Sequence, residues 1–295
     1  GGTGGAGAAD CWDCELLHTV RKAARWVEDQ HLITDLEAGL ACLSAETTTS
    51  PATVALCIAT KNRLWQLRRA LPLNLLHCWP HRKWTRIHVV DCGSTDGTLS
   101  FLLNRCWPAI KCGLLNVYHT DQMPYWHASI GKNTAHACAD EDILVNLDGD
   151  NLVGPDFSRD VARQFLEGGH TVLQYEDGEG TCGRIACYRC DFHRLRGYDE
   201  DAYPMGAQDV DLVCRLRALP DSSFRKVRGS AFSQAIHNSQ DLKVACCDPG
   251  LGGLRWGRMD TLNRTVFKWR RDDGQLVRNL DKSNIGVRAR RQEVR

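Results

Sequence analysis

The 295-residue chain has no apolar run approaching the roughly 20 residues that a membrane-spanning helix requires. It also has almost no net charge, +1 at neutral pH, so bulk charge draws it to neither nucleic acid nor a membrane surface. No internal repeat is evident. The opening GGTGGAGAAD holds neither a starting Met nor a recognisable signal peptide, and it leaves localisation unread. An even cysteine framework is missing too. The fifteen cysteines are odd in number, and many sit singly inside apolar runs (Cys57, Cys138, Cys214). That pattern predicts buried free thiols and a reducing, cytoplasmic setting, although a Golgi-luminal enzyme without its anchor would have the same spelling. Cys11/Cys14 and Cys187/Cys190 have CxxC spacing, but 172 residues separate the pairs and nothing around them suggests a zinc site.

What is present is an ordinary globular composition, 43% hydrophobic and 25% charged, enough for a real core. The order of segments predicts three stretches. Residues 1–50 are a glycine-rich start followed by helical spacing of apolar residues over 11–43. Gly2, Gly4 and Gly7 formally spell GxGxxG, but no strand precedes them, so a linker is the expectation. Residues 51–245 are the main domain. Residues 246–295 are a basic extension: from 251 onward there are 12 Lys or Arg against 5 Asp or Glu. A solvated basic tail is the expectation there, with a segment folding over an anionic ligand as the alternative.

Within the main domain, VALCIA (54–59), IHVV (87–90), a strand around Val117 and Tyr118, and DILVNLD (142–148) are short apolar strands. Between them lie helical segments, the first of them, LWQLRRALPLNLLHC, interrupted by Pro72. Apolar strands alternating with helices predict an α/β fold with a mostly parallel sheet covered on both faces. In such sheets ligands bind beyond the carboxyl ends of the strands. TKNR, DCGSTDGT and DGDN all fall at those ends. Asp148 and Asp150 flank a single glycine. Two such carboxylates hold a hard cation, Mg2+ or Mn2+, and Gly149 lets a diphosphate approach; an exposed acidic turn has the same spelling.

These motifs together resemble the GT-A glycosyltransferases, particularly the family-2-like group. VALCIATKNRLWQLRRAL is similar to that family's first strand, turn and helix, and IHVVDCGSTDGT to its VVDDGSTDGT, with Cys92 where a second Asp is frequent. GKNTAHACADEDILVNLDGDN resembles the stretch with the DxD motif. GYDEDAYPMGAQDVDLVCRL resembles the acceptor-side segment, with Gln208 where Glu is common. The resemblance spans about residues 52–240. It implies a Rossmann-like GT-A fold and a metal-dependent, hexosyltransferase-like enzyme. The donor would be a nucleotide-diphosphate sugar, UDP-linked, and transfer to a carbohydrate or protein/glycan acceptor would proceed with inversion. By the same resemblance Thr60, Asn62, Arg63 and Asp91 contact the nucleotide. Lys132 and Asn133 lie by the donor phosphates or sugar. Asp148, Asp150 and His237 hold the metal, and Asp209 is the catalytic base. Asp211 and Arg215 are expected to anchor the helix by pairing, and Asp199 and Glu200 to contact acceptor or position their loop. Trp126 stacks on a sugar or packs in the core. Two other readings stand beside this one. A sugar nucleotidyltransferase would want glycines after the first strand, which CIATKNR lacks. A catalytically inactive GT-A domain could serve as a binding or scaffold module. The triplet at Asn263 spells a glycosylation sequon.

Overall fold

The computed structural model describes residues 49–50, 52–166, 169–176, 180–228 and 234–294. The helices expected over 11–43, the glycine-rich start and the Cys11/Cys14 pair lie outside these residues. The first strand, β1 (Val54–Thr60), is flanked on both sides, so its apolar run is continuous rather than alternating. Val54, Leu56 and Ile58 enter one core, while Ala55 and Cys57 enter the other. The period of two thus splits one strand between two layers.

Along the chain follow α1 (Leu64–Cys78), β2 (Thr85–Asp91), α2 (Thr98–Arg105), α3 (Trp107–Lys111), β3 (Leu115–His119), α4 (Ala128–Ala137), β4 (Ile143–Asn146), β5 (Asn151–Leu152) and α5 (Phe157–Gln164). Then come β6 (His170–Tyr175), β7 (Arg184–Tyr188), α6 (Arg189–Arg194), α7 (Gln208–Arg217), β8 (Ser222–Val227), β9 (Gln234–Ala235), α8 (Gln240–Val244), α9 (Trp256–Asp272) and β10 (Arg290–Arg291). The eight-stranded sheet runs β10-β3-β2-β1-β4-β7-β6-β8. Four pairings are parallel, including all those among β3, β2, β1 and β4, and three are antiparallel. β2 lies on one side of β1 and β4 on the other, so the strand order reverses at β1 and opens a crevice at its carboxyl end. Leu67 and Leu71 of α1 cover one face of the sheet, and Ala135 of α4 with Leu212 and Leu216 of α7 the other.

Three expectations change at this level. Pro72 does not interrupt the first helix. A proline costs an isolated helix about 3 kcal/mol, but every residue from Ala70 to Cys78 is buried here, and that burial offsets the missing hydrogen bond. The basic extension is no solvated tail. Beyond α9, Leu276, Ile285, Val287 and Ala289 pack on the second core, and β10 pairs antiparallel with β3. Several of its cations pair with acids of the main domain. Arg270 pairs with Asp199, Arg271 and Arg278 reach Asp211 at 3.1 and 3.2 Å, and Lys282 lies 3.3 Å from Glu200 and 3.1 Å from Asp201. Thirdly, the sequon asparagine is a clamp. Asn263 is buried in α9, its amide donates to the carbonyls of Tyr203, Met205 and Gly206, and its Oδ1 accepts from the N–H of Tyr203. A glycan has no access to it in the folded chain.

No disulfide forms among the described cysteines; Cys57, Cys78, Cys92, Cys106 and Cys187 are buried thiols. Cys187 is buried in β7 while Cys190 is exposed on α6. Among the described residues no helix is long and apolar enough to cross a membrane.

Candidate functional site

β1 ends at Thr60, whose side chain is buried and whose hydroxyl oxygen has no hydrogen-bond partner. The turn after it is held by a residue that sequence reasoning passed over. The Lys61 ammonium donates to the carbonyls of Cys92, Gly93 and Met123 at 2.6, 2.9 and 2.9 Å, tying the ends of β1, β2 and the segment after β3 together. Asn62, at φ 52, accepts from Thr95 N–H at 2.7 Å and donates its own N–H to Ser94 Oγ at 2.8 Å. Arg63 donates to the carbonyl of Leu242.

Asp91, at the end of β2, is completely covered. One oxygen accepts from Ser94 N–H at 3.1 Å and the other meets His119 Nδ1 at 2.9 Å. Asp91 therefore holds the turn and fixes the imidazole. Burial pulls the His119 pKa down, but hydrogen bonds to Asp91 and Asp121 more than offset it and leave it raised. Cys92 is buried, and burial followed by the Asp91 charge pushes its thiol up to about 12.

The chain leaves β4 through Asn146 and Leu147 and turns at Asp148, Gly149 and Asp150. Lys132 of α4 donates to Asp209 Oδ1 at 2.7 Å and lies 3.4 Å from Asp148 Oδ1. The two carboxylates converge at Gly183, where an added Cβ would sit 3.0 Å from an oxygen of each. Asp209 stands in the first turn of α7, after Gly206 (φ +96), where a Cβ would be 2.5 Å from Asp260 Cα of α9. Only glycine admits that approach. Burial lowers the Lys132 pKa, yet the Asp148 and Asp209 charges outweigh it and leave the amine well above its ordinary value. Burial, with help from the Asp148 charge, raises Asp209 against the opposing pull of Lys132.

Asp150 is raised to about 6, first by burial and then by the Asp148 charge. Its partners are Asn151, 2.7 Å from Oδ1, and Asn238, which donates to Oδ2. Beneath it Arg184 of β7 is fully buried and bonds Asn151 Oδ1 at 2.9 Å and Gln234 O at 3.1 Å. Burial draws its pKa down to about 10, against the charges of Asp148 and Asp150.

Thus Asp148, Asp150, Lys132 and Asp209 come together, and Thr60 lies close by, its hydroxyl oxygen 3.9 Å from the Cβ position of Gly149. One expected residue does not join them. Asn133 is wholly buried, its amide donating to Tyr198 O and Glu200 Oε1 and its Oδ1 accepting from Tyr198 N–H. It positions the Tyr198–Glu200 loop instead of facing a donor. His237 is exposed, and the next residue, Asn238, is the one on Asp150. Among the described residues no three His, Cys, Asp or Glu side chains gather as metal ligands. The pair Asp148 and Asp150 still suits a hard cation: both are oxygen donors, and Asp150 is raised by burial and then by the Asp148 charge, both of which a divalent ion would offset. Arg184 and Asn238 had no signal in the sequence, because both arrive from distant elements.

No family model matches the chain, and no curated protein matches it. Solved structures do. A mannosyltransferase, PcManGT from Pyrobaculum calidifontis in complex with GDP-Man and Mn2+, superposes with a TM-score of 0.52 at 17% identity, covering 77% of this chain and 66% of that one. TarS 1-349 from S. aureus in complex with UDP-GlcNAc superposes at 0.53 and 15% identity, covering 64% of this chain and 60% of its own. The chain therefore spans about two thirds or less of the neighbours it matches. At these identities the likeness establishes the fold: a mixed α/β architecture of the GT-A kind, with a largely parallel central sheet and helices on both faces.

Proposed function

We propose that this chain is a metal-dependent glycosyltransferase moving a sugar from a nucleotide-diphosphate donor, UDP-linked, to an acceptor hydroxyl with inversion. The observation that carries the reading is the meeting of Asp209, Lys132 and Asp148 at one point beyond the strand ends. The donors held by the neighbouring structures, UDP-GlcNAc in one and GDP-Man with Mn2+ in the other, support a nucleotide-diphosphate sugar as the donor class. In an inverting transfer the acceptor oxygen attacks the anomeric carbon as the diphosphate leaves, and a carboxylate must take the hydroxyl proton. Lys132 occupies Oδ1 of Asp209, so Oδ2, on the Gly183 side, is the oxygen left for that proton. Burial raises this carboxyl toward the working pH and makes it a stronger base. Asp148 and Asp150 would hold a Mn2+ or Mg2+ ion, which when bound supplies positive charge to the leaving diphosphate. Thr60 and the turn to Arg63, braced by Lys61, form the nucleotide side.

The test is a titration of UDP, GDP, CDP and ADP with Mn2+, repeated with chelator. Tight Mn2+-dependent binding of one diphosphate is expected and names the base of the donor. Binding of none would refute the reading. A second reading, an inactive GT-A domain that binds without catalysis, draws on the Asn238 amide against Asp150 and on the buried Cys92. It predicts nucleotide binding without metal-dependent donor hydrolysis.

A further inference from the structure

Lined by the start of α4 and the loop before α7 is a cavity of about 460 Å3, within the range of small-molecule sites, about 300–1,000 Å3. Its walls are aromatic. Trp126 is half-buried, and Tyr125 and Tyr203 keep 47% and 37% of their surface exposed. The platform is held in place before any ligand arrives. The Trp126 ring lies against Gly131, where a Cβ would meet it at 2.9 Å. Its N–H groups donate to Met205 Sδ at 3.2 Å and, from the backbone, to Cys246 O at 2.6 Å. Tyr203 is pinned through both backbone atoms by Asn263.

The charges in the lining are of one sign. Asp201 and Asp248 contribute carboxylates, Asp201 already paired with Lys282 at 3.1 Å, and among the described residues no Lys or Arg lines the cavity itself. His127, the remaining titratable group there with a basic form, has both nitrogens engaged, Nε2 with Ala202 O at 2.9 Å and Nδ1 accepting from Ile130 N–H at 3.5 Å. Burial lowers its pKa and keeps it neutral. A diphosphate would find no cation among the described lining residues, the neighbouring Lys282 being taken by Glu200 and Asp201, and neither would a phosphorylated or carboxylated acceptor. Flat aromatic faces with hydrogen-bond acceptors at the rim suit a ligand with apolar C–H faces and hydroxyl or ammonium donors at its edge. That is a neutral or amino-bearing sugar ring.

The cavity abuts the elements that hold the candidate base. Gly131, against which Trp126 packs, immediately precedes Lys132, the partner of Asp209. Met205, which accepts from Trp126, lies in the loop leading to α7.

We propose that this cavity is the acceptor subsite and that the acceptor is a neutral or amino-bearing pyranoside. The proposal rests on the glycosyltransferase reading above. It is tested by saturation-transfer NMR on the full chain with the methyl glycosides of glucose, N-acetylglucosamine, glucosamine and glucuronic acid as probes, and UDP with Mn2+ titrated in parallel. The neutral and amino glycosides should bind and the glucuronide should not. Tyr125→Ala and Tyr203→Ala, both at partly exposed rings, should each weaken glycoside binding about tenfold, the scale of one lost aromatic contact, and leave UDP binding unchanged. Absence of any glycoside signal, an equal signal from the glucuronide, or glycoside binding indifferent to both variants would overturn the proposal. So would loss of UDP binding in the variants, which would make the cavity the nucleotide-base site. Tyrosine-dependent glycoside binding in a chain that binds no nucleotide would instead sink the transferase reading and keep the sugar site.

Discussion

Asp209 and Asp211 lie two positions apart on α7, about 200° around the helix, and they face two different environments. Asp211 points inward. It is completely buried and surrounded by Arg215 at 2.7 Å, Arg271 at 3.1 Å and Arg278 at 3.2 Å. With Asp199, which pairs with Arg270 and Arg278, it forms a network in which every carboxylate has several guanidinium partners. Asp209 points to the crevice and shares a single ammonium, Lys132, with Asp148, while Asp150 beside them is left with amide partners. The first region is saturated and the second is not. Surplus like charge at the mouth of a sheet is a standing cost to the fold, and a cationic ligand relieves it. A fully paired buried network does the reverse: it holds the C-terminal segment on the domain and has no capacity left for a ligand.

Substitutions that treat the two regions alike at the residue level should separate them by outcome. The largest effect is expected from Asp209→Asn, which should lower transfer by about 10²–10⁴-fold and leave thermal unfolding nearly unmoved. Activity within a few-fold of the wild type would remove Asp209 from the base role. Next is Asp211→Asn, which leaves buried guanidinium groups short of a charge and should cost about 3–5 kcal/mol in denaturant unfolding. A smaller loss would mean that Asp199 alone sustains the network. Asp150→Asn should move stability the other way. Without metal, a carboxyl raised to about 6 is a strained anion at neutral pH, so its removal should stabilise the apo chain by about 1 kcal/mol after solvent screening. The same variant should abolish Mn2+-dependent nucleotide binding. A fall in apo stability would contradict the surplus-charge account.

The last effect is a pH slope set one helical turn from Lys132. His136 is buried, stacks on Phe192 with ring centroids 4.4 Å apart, and its Nδ1 donates to Lys132 O at 2.7 Å. Burial first, then nearby cations, lower its pKa to about 3. The unfolded chain therefore takes up a proton near pH 6.5 that the folded chain refuses. This stability is intact above about 6.5 and falls with decreasing pH by at most about 1.4 kcal/mol per unit. Unfolding midpoints of wild type and His136→Gln between pH 7 and 4 should diverge with that sign. Parallel slopes would mean that the imidazole is protonated in the fold.

The sequence alone decided the frame of this protein. Continuous apolar runs fixed β1, β2 and β4, because a strand buried on both faces has no polar side to show, and the polar sets that end them had to fall at the crevice. Asp148 and Asp150 were legible for that reason, as was the Asp211–Arg215 pair, one helical turn apart. What stands 60 or more residues away along the chain was not legible. Lys132 meets Asp209 across 77 residues, Asn238 reaches Asp150 across 88, and the basic extension finds Asp199 and Asp211 across 60 or more. A side chain reads the same in sequence whether it ends in water, in a salt bridge or against a ligand. Its fate depends on which element folds onto it, and that closure belongs to the tertiary structure: it turned Asn133, Asn263 and several arginines into struts and left Asp148 and Asp209 sharing the Lys132 ammonium.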